Sequence, residues 1–311
     1  MIEKTMLIKA IEELAPPRLA AEWDNSGMQI EPAANEIGRI LVALELTPDV
    51  VGEAKSGRYD LIIVHHPMFF GSGAGAAVRN ILQSDPAGRY TWRLLAEPPA
   101  PVGVYAAHTT FDAAEGGLCD EMGRLIGLAP WDEGPGPDPG LIAEFLHIAP
   151  FTRIGRFAGP IDLAGVFERV RAALAVSGTC SDIRMSGNPS ANISKVMTIC
   201  GGGGEAIAFA ARAGCSLLIT GDIRQHEWRL AESEGLALID AGHYNTERPF
   251  AALFAERLAG VLGELSAEAV IDVSAKIRPP YATQPPYTTQ PSYTSQPPDM
   301  LQPPYMQGGA D

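Results

Sequence analysis

The sequence predicts an α/β fold of two related lobes, each a largely parallel sheet packed by helices, with a metal site between them. Short apolar runs that fit buried strands alternate with segments whose apolar residues recur at helical spacing. This alternation occurs twice, on either side of a stretch rich in Gly and Pro at 131–140. Histidines follow several of the strands, at the sheet edge where open α/β sheets bind their ligands.

The first half begins with a helix at 5–14, because its apolar residues fall at helical spacing and a pair of prolines ends it. A loop at 23–27 leads to a buried strand at 39–46. Thr47 fits the N-cap of a helix that reaches about residue 55, since Pro48 takes the first helical position. The remaining elements of this half are strands at 60–65 and 102–107 and a helix that contains Leu118, Met122, Leu125 and Ile126.

The second half repeats this order of strands and helices. Its elements are strands at 196–200, 216–220 and 236–240, helices at 205–213 and 227–233, and a long helix that ends near residue 265.

We therefore expect an N-terminal lobe at 1–130, a linker at 131–140 and a C-terminal lobe at 141–278. Residues 279–311 form a Pro/Tyr/Thr/Gln repeat of six residues without an aliphatic core pattern, which predicts a disordered or polyproline II tail. This segment is either a solvated tail or a docking segment for a protein partner, since spaced Tyr and Pro bind aromatic grooves.

The composition limits the partners and the location. A formal net charge of −14 argues against nucleic acid as the main partner, because phosphate binding depends on Lys and Arg; a cationic pocket made by metal ions can still take a nucleotide. No stretch of about 18 apolar residues lacks charges, so we expect no membrane span and a cytoplasmic location. The four cysteines form no CxxC pair, and Cys200 and Cys215 lie in apolar runs typical of buried free thiols.

The main chemical signal is that five of the six histidines lie where predicted strands or helices meet loops. His65-His66-Pro67 ends a strand, and adjacent strand residues point to opposite faces, so the two imidazoles converge only if the backbone turns there. Neutral imidazoles bind Zn, Fe, Mn or Ni. The alternative is one core histidine and one surface histidine. The five residues are His65, His66, His108, His226 and His243.

Two segments combine a histidine with a carboxylate four residues later. In the first, Asp112 follows His108 and either binds a metal or caps the following helix. In the second, Glu247 follows His243; it can bridge two cations, or it can simply stabilise a helix N-terminus, which Thr246 would cap.

Two further motifs leave alternatives open. Asp222 and His226 follow a strand and can orient ligands, shuttle a proton, contact substrate or cap a helix. The four glycines at 201–204 fit a GxGxxA dinucleotide fingerprint, but Glu205 places a negative charge where a phosphate would bind. A tight strand-to-helix turn is therefore favoured, with nucleotide binding at this loop as the alternative.

Read together, these segments resemble the Nif-three-like family of dinuclear-metal-centre hexameric proteins, also known as GTP cyclohydrolase 1 type 2 homologs. The resemblance spans about residues 1–266. The matching stretches are WDNSGM (23–28), ILVALELTPDVVGEA (40–54), DLIIVHHPMFF (60–70), HTTFDAAEGG (108–117), ICGGGGEAI (199–207), LLITGDIRQHE (217–227) and IDAGHYNTE (239–247).

The resemblance implies a toroidal homohexamer and two divalent metal ions per protomer. Glu247 would be the bridging carboxylate, and His108 would lie beside the site. The donor types suit Zn, Fe, Mn, Co or Ni alike. The chain departs from the family pattern at Glu45, where many relatives have Asp, and in its tail. The metal ligands carried over by motif are His65, His66, Asp112, His243 and Glu247.

The function predicted is that of a dinuclear metal-dependent hydrolase acting on a small-molecule substrate, either a nucleotide or another phosphoester. Two ions about 3.5–4 Å apart activate a bridging water and stabilise developing charge. His108 or His226 is the expected catalytic acid or base. A rival hypothesis is a non-catalytic metal-binding regulatory or interaction protein. A third hypothesis, that of a nicotinamide-dependent oxidoreductase, rests only on the glycine run.

Overall fold

A computed structural model of the chain describes residues 1–69, 91, 95, 102–134, 136–175 and 183–280. The predicted tail from residue 281 onward and Cys180 lie outside these ranges. We number the described elements in chain order. The strands are β1 Ile2–Glu3, β2 Gly27–Ile30, β3 Glu36–Ile37, β4 Arg39–Ala43, β5 Leu61–Val64, β6 Gly103–Ala106, β7 Ala129–Pro130, β8 Thr152–Arg156, β9 Ile161–Asp162, β10 Arg184–Ser186, β11 Asn192–Ile193, β12 Val196–Gly202, β13 Leu217–Gly221, β14 Ala237–Asp240 and β15 Val270–Val273.

Six of the described α-helices follow the predicted segments, and the other four, α3, α5, α6 and α9, lie where no helix was predicted. They are α1 Lys4–Leu14, α2 Pro48–Ser56, α3 Thr109–Ala113, α4 Leu118–Leu125, α5 Pro139–Glu144, α6 Leu163–Leu174, α7 Ala206–Arg212, α8 Gln225–Ser233, α9 His243–Glu247 and α10 Phe250–Glu264. Thr47 caps α2 as expected, with its side chain accepting from the Val50 amide at 3.2 Å.

The first sheet has the order β15-β4-β5-β6-β2. Its strands β15, β4, β5 and β6 run parallel, and β2 pairs antiparallel with β6 at one edge. The strand β4 is apolar and buried from Ile40 to Ala43, where both of its faces are covered. Ile40 and Val42 face one apolar cluster, while Leu41 and Ala43 face another that includes Val51 of α2.

The second sheet has the order β10-β14-β13-β12-β8-β7. Its central strands β12, β13 and β14 are parallel, and antiparallel strands flank them on both sides. The α/β class with largely parallel sheets is therefore confirmed, and antiparallel strands lie at three of the four edges of these two sheets.

Sheet membership crosses the predicted lobe boundaries at two strands. The last described strand, β15, returns to the first sheet and pairs with β4, with Val270 opposite Arg39. Near the middle of the chain, β7 pairs with β8 in the second sheet. The linker at 131–140 remains a prediction. The pairing of β15 with β4 and of β7 with β8 joins the two predicted lobes through backbone hydrogen bonds.

The two sheets share one apolar core. A single cluster of buried side chains contains Ile63 of β5, Ile239 of β14 and Phe254 of α10. The helix α10 belongs to the second half of the chain and contacts α1 and β4 of the first half. Among the described residues, no helix combines the length and apolarity needed to cross a membrane.

The predicted long helix that ends near residue 265 is α10, and a separate short helix, α9, precedes it where no helix was predicted. Pro249 lacks an amide proton and takes the N-cap position of α10, so the short helix α9 precedes it as a separate turn. Gly242, with φ +83°, takes the N-cap position of α9, and Thr246 lies inside that helix; the prediction of Thr246 as the cap was wrong. This arrangement places His243 and Glu247 one helical turn apart.

Candidate metal centre

His65 and His66 converge because the backbone turns where β5 ends. Both of their amides donate to the same acceptor, the Leu44 carbonyl, at 3.1 and 3.2 Å. The adjacent strand β4 is shorter than predicted and ends at Ala43, which leaves the Leu44 carbonyl for this shared contact. The His65 side chain is completely buried, and that of His66 is 21% exposed. The alternative of one core and one surface histidine does not hold, since both rings face the same cluster.

Asp112 reaches the site from the short helix α3. Its helix begins after His108, so His108 rather than Asp112 occupies the N-cap position. The Asp112 Oδ1 atom lies 3.1 Å from His65 Nε2, and the carboxylate is buried. The alternative that Asp112 caps the following helix, α4, is wrong, because Gly117 takes the N-cap position of α4 and the Asp112 carboxylate lies against His65.

Glu247 lies at the centre of the cluster. Its Oε2 atom is 2.9 Å from both His66 Nε2 and His243 Nε2, and 3.8 Å from His65 Nδ1. The Glu247 side chain is 4% exposed. One helical turn separates it from His243, so both side chains leave the same face of α9.

Two buried atoms at this point have no hydrogen-bond partner. They are Glu247 Oε2 and His65 Nδ1. Although two imidazole nitrogens lie 2.9 Å from the carboxylate oxygen, neither contact has the geometry of a hydrogen bond. Neighbouring donor atoms that surround one divalent ion at about 2.0–2.2 Å are themselves separated by about 2.8–3.1 Å in octahedral and about 3.3–3.6 Å in tetrahedral coordination. The spacing and the unpartnered atoms therefore fit a set of metal ligands.

The described residues contain two overlapping groups that can hold a metal ion. One is His65, His66 and His108; the other is His66, His243 and Glu247. Within each group the donor atoms lie within 4.8 Å of one another, and the groups share His66. Asp112 joins the first group through its contact with His65. The structure thus gathers all five predicted ligands from three separate segments of the chain.

Two histidines of the cluster are held by carboxylates that point away from it. His243 Nδ1 lies 2.6 Å from Asp222 Oδ2, and His108 Nδ1 lies 2.8 Å from Asp24 Oδ1. Such outer carboxylates fix the ring orientation and tautomer of a metal-binding histidine. Of the roles left open for Asp222, the structure supports that of orienting a ligand.

These contacts also shift the pKa values of the rings. Burial alone would lower the pKa of His243, but the Asp222 and Glu247 carboxylates outweigh it and raise that pKa to about 10. Burial alone would also lower the pKa of His108, but the carboxylates of Asp24, Asp112 and Glu247 together outweigh it and raise that pKa. Burial would raise the pKa of Glu247, yet the charge of His65 and the contacts with His243 and His66 hold it well below its usual range.

The glycine run brings β12 against the cluster. Gly201 has φ +64°, and a Cβ atom there would lie 2.4 Å from Glu247 Oε1. A Cβ atom at Gly204 would lie 2.3 Å from the Glu227 carboxylate, which fills the space a phosphate would need. These close approaches support a tight strand-to-helix turn over a dinucleotide fingerprint.

Asp24 is the functional residue whose role the sequence did not reveal. Its buried carboxylate accepts from the Asn25 amide at 2.7 Å, from Ser26 and Thr109, and binds His108. Burial opposes ionisation, but the contacts with His108, Ser26 and Thr109 lower the pKa of Asp24 strongly. Its position in the matched stretch WDNSGM was the available signal.

His226 lies apart from these contacts. Its side chain is exposed on α8, and the described hydrogen bonds and ion pairs of the cluster do not include it. His108, in contrast, belongs to one of the two donor groups. The three described cysteines, including Cys200 and Cys215, are buried free thiols as predicted.

Known proteins match nearly the whole described chain. Among curated relatives, a "GTP cyclohydrolase 1 type 2 homolog" of Clostridium perfringens is 27% identical over 278 residues, covering 88% of this chain and 97% of its own. One of the same name from Nostoc is 32% identical over 258 residues, covering 81% and 89%. A solved Bacillus cereus protein related to NIF3 superposes with a TM-score of 0.73 at 20% identity, covering 91% and 99% of the two chains.

The family comparison agrees with the relatives. The model of the family described as Duf34/NIF3 (NGG1p interacting factor 3) matches residues 2–278, a range that includes every element of the two sheets and all of the cluster. The sequence, the fold and the gathered histidines and carboxylates together show that this chain belongs to the Duf34/NIF3 family.

Proposed function

We propose that this chain is a metal-dependent hydrolase that acts on a nucleotide or another phosphoester. The observation that carries the proposal is the buried Glu247 carboxylate, whose unpartnered oxygen lies 2.9 Å from two imidazole nitrogens. Burial of an ionised carboxylate in that position costs free energy unless a positive charge compensates it. That charge comes either from a proton on a neighbouring imidazole or from a metal ion.

The proposal includes two divalent ions per protomer. Two donor groups share His66, and Asp112 adds a second carboxylate beside His65. Two carboxylates and neutral imidazoles suit a pair of divalent cations of the first transition series. Such ions, when bound, activate water near neutral pH and neutralise charge that develops on a phosphoryl group.

The protein's own groups provide proton transfer and orientation. In the proposal the five predicted ligands hold the ions and His108 does not. Because Asp24 binds Nδ1 of His108, its Nε2 is the ring nitrogen that exchanges a proton with the reacting groups. Asp222 holds the ring of His243 in the same way. The proposal assigns acid–base catalysis to His108 rather than to His226, because His108 lies in the cluster and His226 is exposed on α8.

The names of relatives suggest which substrates to test first. Several curated relatives are called GTP cyclohydrolase 1 type 2 homologs, and one from Helicobacter pylori is called GTP cyclohydrolase 1 type 2. Purine nucleotides therefore belong in the substrate panel beside simple phosphomonoesters and phosphodiesters.

The test compares the wild-type protein with Glu247→Gln and with Glu264→Gln. Each protein is loaded with Mn²⁺ or Zn²⁺, its metal content is measured per protomer, and product release is followed over the panel. Glu264 is an exposed residue of α10, so its substitution controls for the loss of a surface charge. We expect two ions and turnover in the wild type and the control, and a loss of at least about 100-fold in Glu247→Gln.

Thermal unfolding of the three proteins shows whether Glu247→Gln is folded. Because Glu247 is buried, His66→Ala, at a partly exposed ligand position, provides a second test with less risk to the fold. Two bound ions without turnover of any substrate would overturn the hydrolase proposal and leave the rival, a non-catalytic metal-binding protein. Turnover that survives chelation and both substitutions would overturn the metal-dependent mechanism itself.

A further inference from the structure

We propose that Trp23 forms a stacking surface for a planar heteroaromatic ring of the ligand, at the rim of the metal cluster. The inference rests on the proposed function and narrows its substrate class to phosphoesters that carry such a ring, of which nucleoside monophosphates are the simplest. Trp23 lies outside the predicted ligand set, and it contacts the site through His108.

The Trp23 ring is both exposed and next to the cluster. The residue is 57% exposed. Its ring therefore presents a large apolar surface that a stacked partner would bury. Its ring meets the His108 ring edge to face, with centroids 5.6 Å apart and planes at 71°. That arrangement leaves ring surface open to solvent beside a histidine of the candidate metal centre.

The backbone on both sides of Trp23 is fixed. The Asp24 amide donates to the Ala21 carbonyl at 2.9 Å, and the Ala21 amide donates to Thr109 Oγ1 at 3.0 Å. The Asp24 carboxylate in turn binds His108 and Thr109. An exposed ring held on an anchored loop loses little conformational freedom when a ligand stacks on it, which favours binding.

The distance from this ring to the candidate ligands fits a small phosphoester. The His108 and His66 ring centroids are also 5.6 Å apart, so the Trp23 and His66 centroids are separated by at most about 11 Å. A sugar and one phosphate bridge a span of this order between a stacked base and a cation. Stacking also suits a chain of net charge −14, because recognition of a base by stacking does not require a basic patch.

Stacking on an aromatic side chain is tolerant of base identity, because every base has a planar face. The proposal therefore concerns the presence of the ring and not the pattern of groups on its edge. We expect guanosine and adenosine 5′-monophosphate to behave alike, and ribose 5-phosphate, which has the same phosphate and sugar without a base, to bind more weakly.

The experiment measures dissociation constants of these three compounds by titration calorimetry with the Mn²⁺-loaded full chain. Wild type is compared with Trp23→Ala, Trp23→Phe and the control Leu146→Ala, which removes another strongly exposed apolar side chain. Loss of a base–aromatic stack weakens binding by about 5–150-fold. We expect Trp23→Ala to bind both nucleotides about as weakly as ribose 5-phosphate, Trp23→Phe to keep most of the preference, and Leu146→Ala to match the wild type.

Binding and turnover separate the two proposals. If the preference for nucleotides depends on Trp23 but no phosphoester is hydrolysed, the hydrolase proposal fails and the stacking surface stands. If phosphoesters are hydrolysed but nucleotides and ribose 5-phosphate bind equally in wild type and Trp23→Ala, the stacking proposal is overturned alone. Absence of binding by all three compounds overturns the stacking proposal, while the hydrolase proposal is decided by turnover over the whole substrate panel.

A second measurement excludes an interface role for the ring. The molar mass of wild type and Trp23→Ala is determined by light scattering after size exclusion. Equal masses are expected. A lower mass in Trp23→Ala would show that the ring is a contact between copies of the chain, which would overturn the proposal.

Discussion

At the scale of single residues, the candidate centre is a set of charges that compensate one another. Glu247 is buried with its pKa held low, while the pKa of His243 is raised to about 10 by Asp222 and Glu247 despite its burial. A protonated His243 therefore accompanies the ionised carboxylate when no metal is bound. A divalent ion and this proton compete for the same ring nitrogen, His243 Nε2.

This competition predicts a strong pH dependence of metal binding. Because the pKa of His243 is raised, the ring is protonated at neutral pH and must release its proton to the buffer when metal binds. We expect the apparent affinity to rise about tenfold per pH unit for each proton released, until the pH reaches about 10. Calorimetry at pH 7.5 in two buffers of different ionisation enthalpy measures the number of protons.

The matched variant for this measurement is Asp222→Asn. It removes the hydrogen-bonded carboxylate that raises the pKa of His243, and it leaves every predicted metal ligand unsubstituted. The pH range over which affinity rises should therefore move to lower pH in the variant. Identical heats in the two buffers for the wild type, meaning that no proton is released, would contradict the assignment.

At the scale of elements, the turn after β12 shows why a run of glycines is needed beside the centre. Gly201 combines φ +64° with an approach that leaves no room for a Cβ atom near Glu247. Its amide donates to Thr246 Oγ1 at 2.9 Å, and the same hydroxyl donates to the His243 carbonyl at 2.8 Å. The turn thus positions α9, and with it both of the ligands that α9 carries.

Gly201→Ala should therefore impair the centre more than a substitution that only strains the backbone. Gly214 provides the matched control, because its φ is +73° and no atom lies within 4 Å of a Cβ atom placed there. We expect each variant to lose about 1–3 kcal/mol of unfolding free energy from the left-handed backbone. Only Gly201→Ala should also lose metal, measured per protomer after dialysis.

Urea unfolding and metal analysis of the same samples separate the two effects. If Gly201→Ala and Gly214→Ala retain equal metal, the close approach of β12 to Glu247 has no consequence for the centre. That outcome would contradict the role given to the glycine run.

At the scale of the whole molecule, we propose the homohexamer that the family resemblance implies. Light scattering in solution should give six times the chain mass of 33.0 kDa. A chain that ends at residue 280 should assemble equally, because the family match ends at residue 278 and the repeat tail lies beyond it. A monomeric mass for the full chain would refute this state, and loss of assembly in the shortened chain would assign the contact to the tail.

The sequence predicted the centre better than it predicted the sheet edges. The parallel strands inside the two sheets, β4, β5, β6, β12, β13 and β14, were all identified, because strands covered on both faces are continuous apolar runs. The strands at or next to the sheet edges, β2, β7, β8, β10 and β15, were not. These strands are short or contain polar residues, as in Thr152–Arg156, so their pattern resembles that of loops.

By itself the sequence determined the α/β class, the family and the segments that carry the histidines and carboxylates, since these depend on local periodicity and on motifs in a fixed order. Only the tertiary structure decided which groups meet. It showed Glu247 between His66 and His243, Asp24 behind His108 and β15 beside β4. Contacts between residues far apart in the chain follow from the packing of whole elements, which no local pattern encodes.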